Sequence, residues 1–154
     1  MTEAIIQILM GTLGTLGFNI LFHIRGRKLV LATLGGTISW SVFLAFAPVL
    51  PGEATRYFLS AAVITVYSEI LARLEKTPTT TFLVPSAVPL IPGSALYYTM
   101  NFALNRQWTD FAAKALYTLE LAASLALGII AVTTVLRLFR SLRAHLKAKN
   151  HRTI

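Results

Sequence analysis

The sequence predicts an all-α, polytopic membrane protein of about five transmembrane helices, the fourth broken at mid-membrane over Pro89–Ser94. Three observations predict it. Hydrophobic residues make up 55% of the chain and charged residues 13%, against roughly 25% charged in an average soluble domain. The apolar residues lie in runs of about 20, the length a helix needs to cross a hydrocarbon core about 30 Å thick. Most of the 14 basic residues, set against 6 acidic ones, fall in the gaps between those runs or after the last. So few charges exclude a soluble enzyme and a disordered tail. The absence of cysteine excludes a disulfide-stapled domain, thiolate metal sites and thiol redox chemistry.

The first span runs from about Ala4 to His23. Only Glu3 is charged ahead of it, with neither a basic n-region nor a small-residue cleavage site, so it reads as a retained span. Arg25-Gly26-Arg27-Lys28 makes a turn, and the second span, Leu29 to Leu50, stops at Pro51-Gly52-Glu53. The third covers about Tyr57 to Leu74 and closes with Arg73, Glu75 and Lys76. Thr79 to Asn105 is the interrupted fourth, and Asp110 to about Leu138 the long fifth. Residues 1–138 then form the membrane module and 139–154 a basic tail.

Charge placement orients the spans, because Lys and Arg accumulate in cytoplasmic loops. With five crossings the amino terminus is outside. Arg25, Arg27, Lys28, Arg73, Lys76 and the tail residues Arg137, Arg140, Arg143, Lys147, Lys149 and Arg152 are then inside. Arg56 and Arg106 remain outside, with Lys114 near the outer boundary. If Thr79–Asn105 merely dipped in and returned, either the tail or the Arg25–Lys28 turn would face the wrong side. The formal net charge of +8 therefore records topology. Anionic headgroups suit the tail as well, and no nucleic-acid motif accompanies it.

Pro85-Ser86-Ala87-Val88-Pro89-Leu90-Ile91-Pro92-Gly93-Ser94 is the most informative stretch. Within a helix Pro89 would free the carbonyl of Pro85, and Pro92 that of Val88. Gly93 tolerates positive φ. Lipid cannot satisfy freed backbone groups, so they are expected to face protein or water. A helix restarting at Gly93 or Ser94 presents unpaired amides and a positive dipole end, which suit a carboxylate. Ser94, Tyr97 or Tyr98, Asn101 and Asn105 follow at helical spacing. The candidate substrate-binding residues are Pro89, Pro92, Gly93, Ser94, Tyr97, Tyr98 and Asn101, in the pattern of a secondary transporter. The plain alternative is a span that prolines only kink.

Glu120, about ten residues into the last span, is expected to face the bundle interior or be protonated. It is a candidate proton carrier, or else a neutral acid bonded to a neighbouring helix. Glu69 is a second coupling candidate, although pairing with Arg73 four residues on explains it structurally. His23 reads as a solvated boundary residue beside Arg25. Thr12, Thr15 and Asn19 share its face, and Asn19 is a cavity candidate. Gly11, Gly14, Gly17, Gly35 and Gly36 read as close-packing positions. Trp108 fits the outer interface, whereas Trp40 lies mid-span. No HExxH, GxSxG or P-loop occurs, and no acid–histidine cluster has metal-ligand spacing, so neither an enzyme nor a cofactor is expected.

The run Val84 to Tyr97 resembles the signature of the threonine/serine exporter family, and most closely its small single-module members, which include the small component of a bacterial succinate exporter. Also similar are Gly17-Phe18 with Phe22, Gly36 to Trp40, and Glu69-Ile70-Leu71-Ala72-Arg73 leading to Thr77-Pro78. The resemblance covers most of the chain to about Leu138. It implies a component of an exporter in the bacterial inner membrane, with threonine, serine or a dicarboxylate such as succinate as substrate. It also implies a larger partner subunit of the same family. Two modules with an odd number of spans each must lie in opposite orientations, as inverted repeats do. The residues leave a homo-oligomer open. The rival expectation, from another class, is a non-transporting membrane scaffold or assembly factor.

Overall fold

A computed structural model describes residues 2–150, with side chains through residue 142. The order is α1 (Thr2–Leu21), α2 (Arg27–Ala45), α3 (Glu53–Leu74), α4 (Thr80–Ala87), a 3-10 turn (Val88–Leu90), α5 (Gly93–Leu104) and α6 (Trp108–Asn150). No strand occurs among the described residues. Four helices, α1, α2, α3 and α6, are long and apolar enough to cross a membrane, and the fourth crossing is divided between α4 and α5. The last helix continues without a break past residue 138 into the basic tail, and Arg152 lies outside the described residues.

Local signals set the helix ends. Glu53 in the first turn of α3 and Asp110 in the first turn of α6 complement the positive ends of those helices. At their other ends α1, α3 and α5 stop on a basic residue in the left-handed conformation: His23 (φ 58), Lys76 (φ 49) and Arg106 (φ 56). In each case the next amide bonds back five residues, Ile24 to Asn19, Thr77 to Ala72 and Gln107 to Phe102. These are Schellman caps built without the usual glycine.

α3 is the central helix, with 44% of its apolar window buried, against 11% for α1 and for α6. Lipid offers helices no hydrophobic drive to associate, so close approach and side-chain hydrogen bonds must hold the bundle. Both are present. The hydroxyls of Thr12 and Thr37 are 2.8 Å apart, the Asn19 amide donates to Thr33 at 3.0 Å, and the Tyr67 hydroxyl donates to the Leu31 carbonyl at 2.8 Å. A Cβ on Gly36 would lie 2.6 Å from the Thr15 methyl, and one on Gly128 2.5 Å from the Phe58 carbonyl oxygen. Gly35, tight against Ser86, fits the packing expectation in the same way. Gly14 and Gly17 do not, since nothing lies within 4 Å of either.

The polar face of α1 is therefore a helix contact and not a cavity wall. Asn19 is fully buried against α2, with its Oδ1 unpartnered, and His23 is exposed beyond the helix end. Trp40 stacks on Phe43 at 5.0 Å inside the bundle, whereas Trp108 is exposed at the start of α6.

Candidate functional site

The divided crossing is the feature around which the other elements are arranged. Its first half, α4, packs on α2 and α3, with Phe82, Pro85 and Ser86 buried. Its second half, α5, packs chiefly on α6, where the Thr99 and Thr118 hydroxyls are 3.1 Å apart. The join lies inside the bundle. Leu90 is fully buried with Phe43, Tyr57, Ile64, Ala95 and Leu121, and Pro89 lines a groove with Gln7, Met10, Gly11 and Trp40.

The carbonyls that the prolines release do not need water or another helix. The amide of Val88 bonds to the Pro85 carbonyl, and that of Ile91 bonds to the Val88 carbonyl at 3.2 Å. Tightening to i→i+3 bonds replaces the contacts Pro89 and Pro92 cannot make. Ile91 is extended (ψ 122), which ends the turn and redirects the chain. Gly93 keeps negative φ, because Gly26 is the glycine with positive φ. Its use is space: a Cβ there would meet nothing within 4 Å.

α5 begins with a bond from the Leu96 amide to the Pro92 carbonyl at 3.0 Å, ahead of which the Ser94 and Ala95 amides have no backbone acceptor. Five of the predicted residues share this helix. Gly93, Ser94, Tyr97 and Tyr98 are exposed, Tyr97 at 65%, and Asn101 is half-buried. The tyrosine rings meet edge to face at 5.5 Å. Asn101 accepts from the Asn105 amide at 2.9 Å, a contact that closes the end of α5. Pro92 is buried and Pro89 half-buried behind them. An anion reaching this face would meet free amides, a serine hydroxyl and aromatic hydroxyls.

The two coupling candidates lie elsewhere. Glu69 is buried (9% exposed) at the opposite end of α3, where it accepts from Thr79 at 3.2 Å, pairs with Arg140 of α6 and lies 3.9 Å from Arg73. The Arg73 pairing was legible in the i,i+4 spacing; the Arg140 contact, across 71 residues, was not.

Glu120 does not face the bundle interior as its sequence position suggested. It is exposed, and two residues of helix turn it about 200° from Thr118, the contact with α5. Nor is it deep. Tyr117 donates to Glu53, at the very start of α3, so Glu120 lies only about one turn inward of that level. The sequence misleads here because α6 begins about 13 Å beyond the level at which α3 starts.

The helical spacing of Lys114, Tyr117, Glu120 and Ser124 put them on one face of the last span, but did not reveal the meeting of Lys114 and Tyr117 with Tyr98, Glu53 and Arg56. Arg56 sits 3.8 Å from Glu53 and 4.8 Å from the Phe43 ring centroid. The Lys114 ammonium lies 4.6 Å from the Tyr117 ring and 5.9 Å from the Tyr98 ring. The Glu53–Arg56 spacing was the available signal. No group of residues that could hold a metal occurs among the described residues.

No curated protein and no solved structure matches the chain. A family model described as "Threonine/Serine exporter, ThrE" matches residues 7–135, which takes in α2 to α5 whole and most of α1 and of the apolar part of α6. With a divided crossing at its centre and that match over most of its length, the chain belongs to the threonine/serine exporter family.

Proposed function

We propose that this chain is one module of a secondary exporter for small polar carboxylates, such as threonine, serine or a dicarboxylate like succinate. The observation that carries the reading is the restart of the crossing at Gly93. There two amides without backbone acceptors open a helix whose polar face is exposed. A positive helix end suits a carboxylate, and a discontinuous helix is where secondary transporters place such a site.

The reading includes a larger partner subunit of the same family. Ser94, Tyr97 and Tyr98 are exposed on this chain, and such a polar face needs protein or water over it within a membrane. An inverted second module covers it and completes the site between halves. Excess basic charge near Arg27, Arg73 and Arg140 supports a reading in which that end of the bundle faces the cytoplasm of a bacterial cell and the amino terminus lies outside.

Of the two coupling candidates Glu120 is the one left free to exchange a proton, and it would do so from an exposed, shallow position rather than a buried one. Glu69 is held by Arg140 and Thr79, whereas Glu120 has no ion-pair partner among the described residues. The test is efflux of threonine, serine and succinate from vesicles holding the chain, with and without the larger subunit. Efflux of one of them that requires both proteins supports the reading. A pair that moves none of the three overturns it in favour of a membrane scaffold.

A further inference from the structure

We propose that Lys114, held between Tyr98 and Tyr117, is a second binding point for the substrate carboxylate, on the outer side of the broken helix. The proposal rests on the export reading above and extends it to a residue of α6. Its basis is a charge count in one cluster. Arg56, Lys114 and Glu53 stand together at the outer ends of α3 and α6, and Asp110, one turn before Lys114 on α6, forms no ion pair with it. Glu53 is already engaged: it accepts from the Tyr117 hydroxyl and lies 3.8 Å from Arg56. Lys114 has no carboxylate within ion-pair distance among the described residues. Its ammonium faces aromatic rings, at 4.6 Å from Tyr117 and 5.9 Å from Tyr98.

Two rings hold a cation in place without neutralising it. The ammonium therefore keeps its capacity for an anion. Its position is specific as well, because Tyr98 is one turn along α5 from Ser94 and touches Tyr97. A carboxylate leaving the amides of Ser94 and Ala95 along this face meets Tyr97 and Tyr98 next, and with Tyr98 the Lys114 charge. Lys114 is half-buried, so its stem is packed while its head stays near the surface. The site binds carboxylates by charge and hydrogen bonding, and a neutral amide gains nothing from it.

The experiment measures efflux kinetics from vesicles containing the full chain and its larger subunit. Lys114→Met preserves the packed stem and removes the charge; Lys114→Arg preserves the charge. For the carboxylate that is exported, Lys114→Met should raise KM about tenfold or more with Vmax little changed, as expected for a lost charge-assisted hydrogen bond. Lys114→Arg should stay within about threefold of the parent KM, the geometry of the cation having changed but not its sign. Threoninamide should compete equally poorly in all three. An unchanged KM in Lys114→Met overturns the proposal while leaving export standing. The same measurements in neutral phosphatidylcholine and in vesicles with added phosphatidylglycerol separate substrate from lipid. An effect of Lys114→Met confined to anionic vesicles assigns the lysine to a lipid phosphate and also overturns it. A parent pair that exports nothing overturns the export reading itself.

Discussion

The hydroxyls of Thr99 and Thr118 lie 3.1 Å apart, and through them the second half of the broken crossing is fastened to α6. The first half is held by α2 and α3, where Ser86 is buried against Gly35. One crossing thus belongs to two packing groups, joined at a point where Leu90 is buried and Ile91 exposed. Relative movement of the groups would be taken up at Ile91 and Pro92, the two residues between the 3-10 turn and α5.

Gly93→Leu tests the site without disturbing the fold. A side chain there enters open space, so accumulation in the membrane should be unchanged. It stands in front of the amides of Ser94 and Ala95, so export should fall at least about tenfold, the equivalent of a lost charged hydrogen bond. Quantifying the membrane-inserted protein beside its efflux rate makes the comparison. Normal export at normal abundance removes the anion site from Gly93.

Gly128→Leu should have the opposite signature. Its Cβ would lie 2.5 Å from the Phe58 carbonyl oxygen and 2.8 Å from the Ala61 Cβ, both on α3, where neither a backbone carbonyl nor a methyl can swing aside. Overpacking of that kind costs about 1–3 kcal/mol or more. α3 and α6 should separate, seen as a lower melting temperature in detergent. Gly14→Leu, with nothing within 4 Å, is the control and should melt with the parent.

The three left-handed caps make a separate prediction about stability. A non-glycine residue in that conformation costs roughly 1 kcal/mol. Lys76→Gly should therefore stabilise the end of α3, offset in part by the greater freedom of glycine in the unfolded chain and by the loss of a cation near the negative helix end. A net gain of a few tenths of a kcal/mol to about 1 kcal/mol is expected in thermal melts. A clear loss would mean that the charge of Lys76 matters more than its backbone.

These caps also show where the sequence stops being informative. Residues 23, 76 and 106 carry no glycine, and their helix ends were placed from the exhaustion of apolar residues and not from a cap signal. The broken crossing was legible because Pro89, Pro92 and Gly93 act on their own neighbours, within a few residues. The pairing of Glu69 with Arg73 was legible for the same reason. Arg140 against Glu69, Lys114 against Tyr98 and the outward face of Glu120 were not, since each depends on how α6 slides against α3 and α5. That register is fixed by Gly128 and the Tyr117–Glu53 contact, which no local periodicity encodes.

Glu120→Gln addresses the coupling step. Gln cannot carry a proton but keeps the size of the side chain, and at an exposed position on α6 it leaves the packing of Leu121 and Thr118 intact. If Glu120 exchanges the proton, the pH dependence of export should flatten while abundance and melting temperature hold. Glu69→Gln should behave differently. It leaves the exposed Arg140 without its anion and weakens the join between α3, α6 and the start of α4, at a cost of up to about 1 kcal/mol for a pair screened on its Arg140 side. Its effect should therefore appear in the melting temperature, with the shape of the pH profile retained. A pH profile unaltered by Glu120→Gln, measured beside a flattened one for Glu69→Gln, would move the coupling step to the Arg140 end of the bundle.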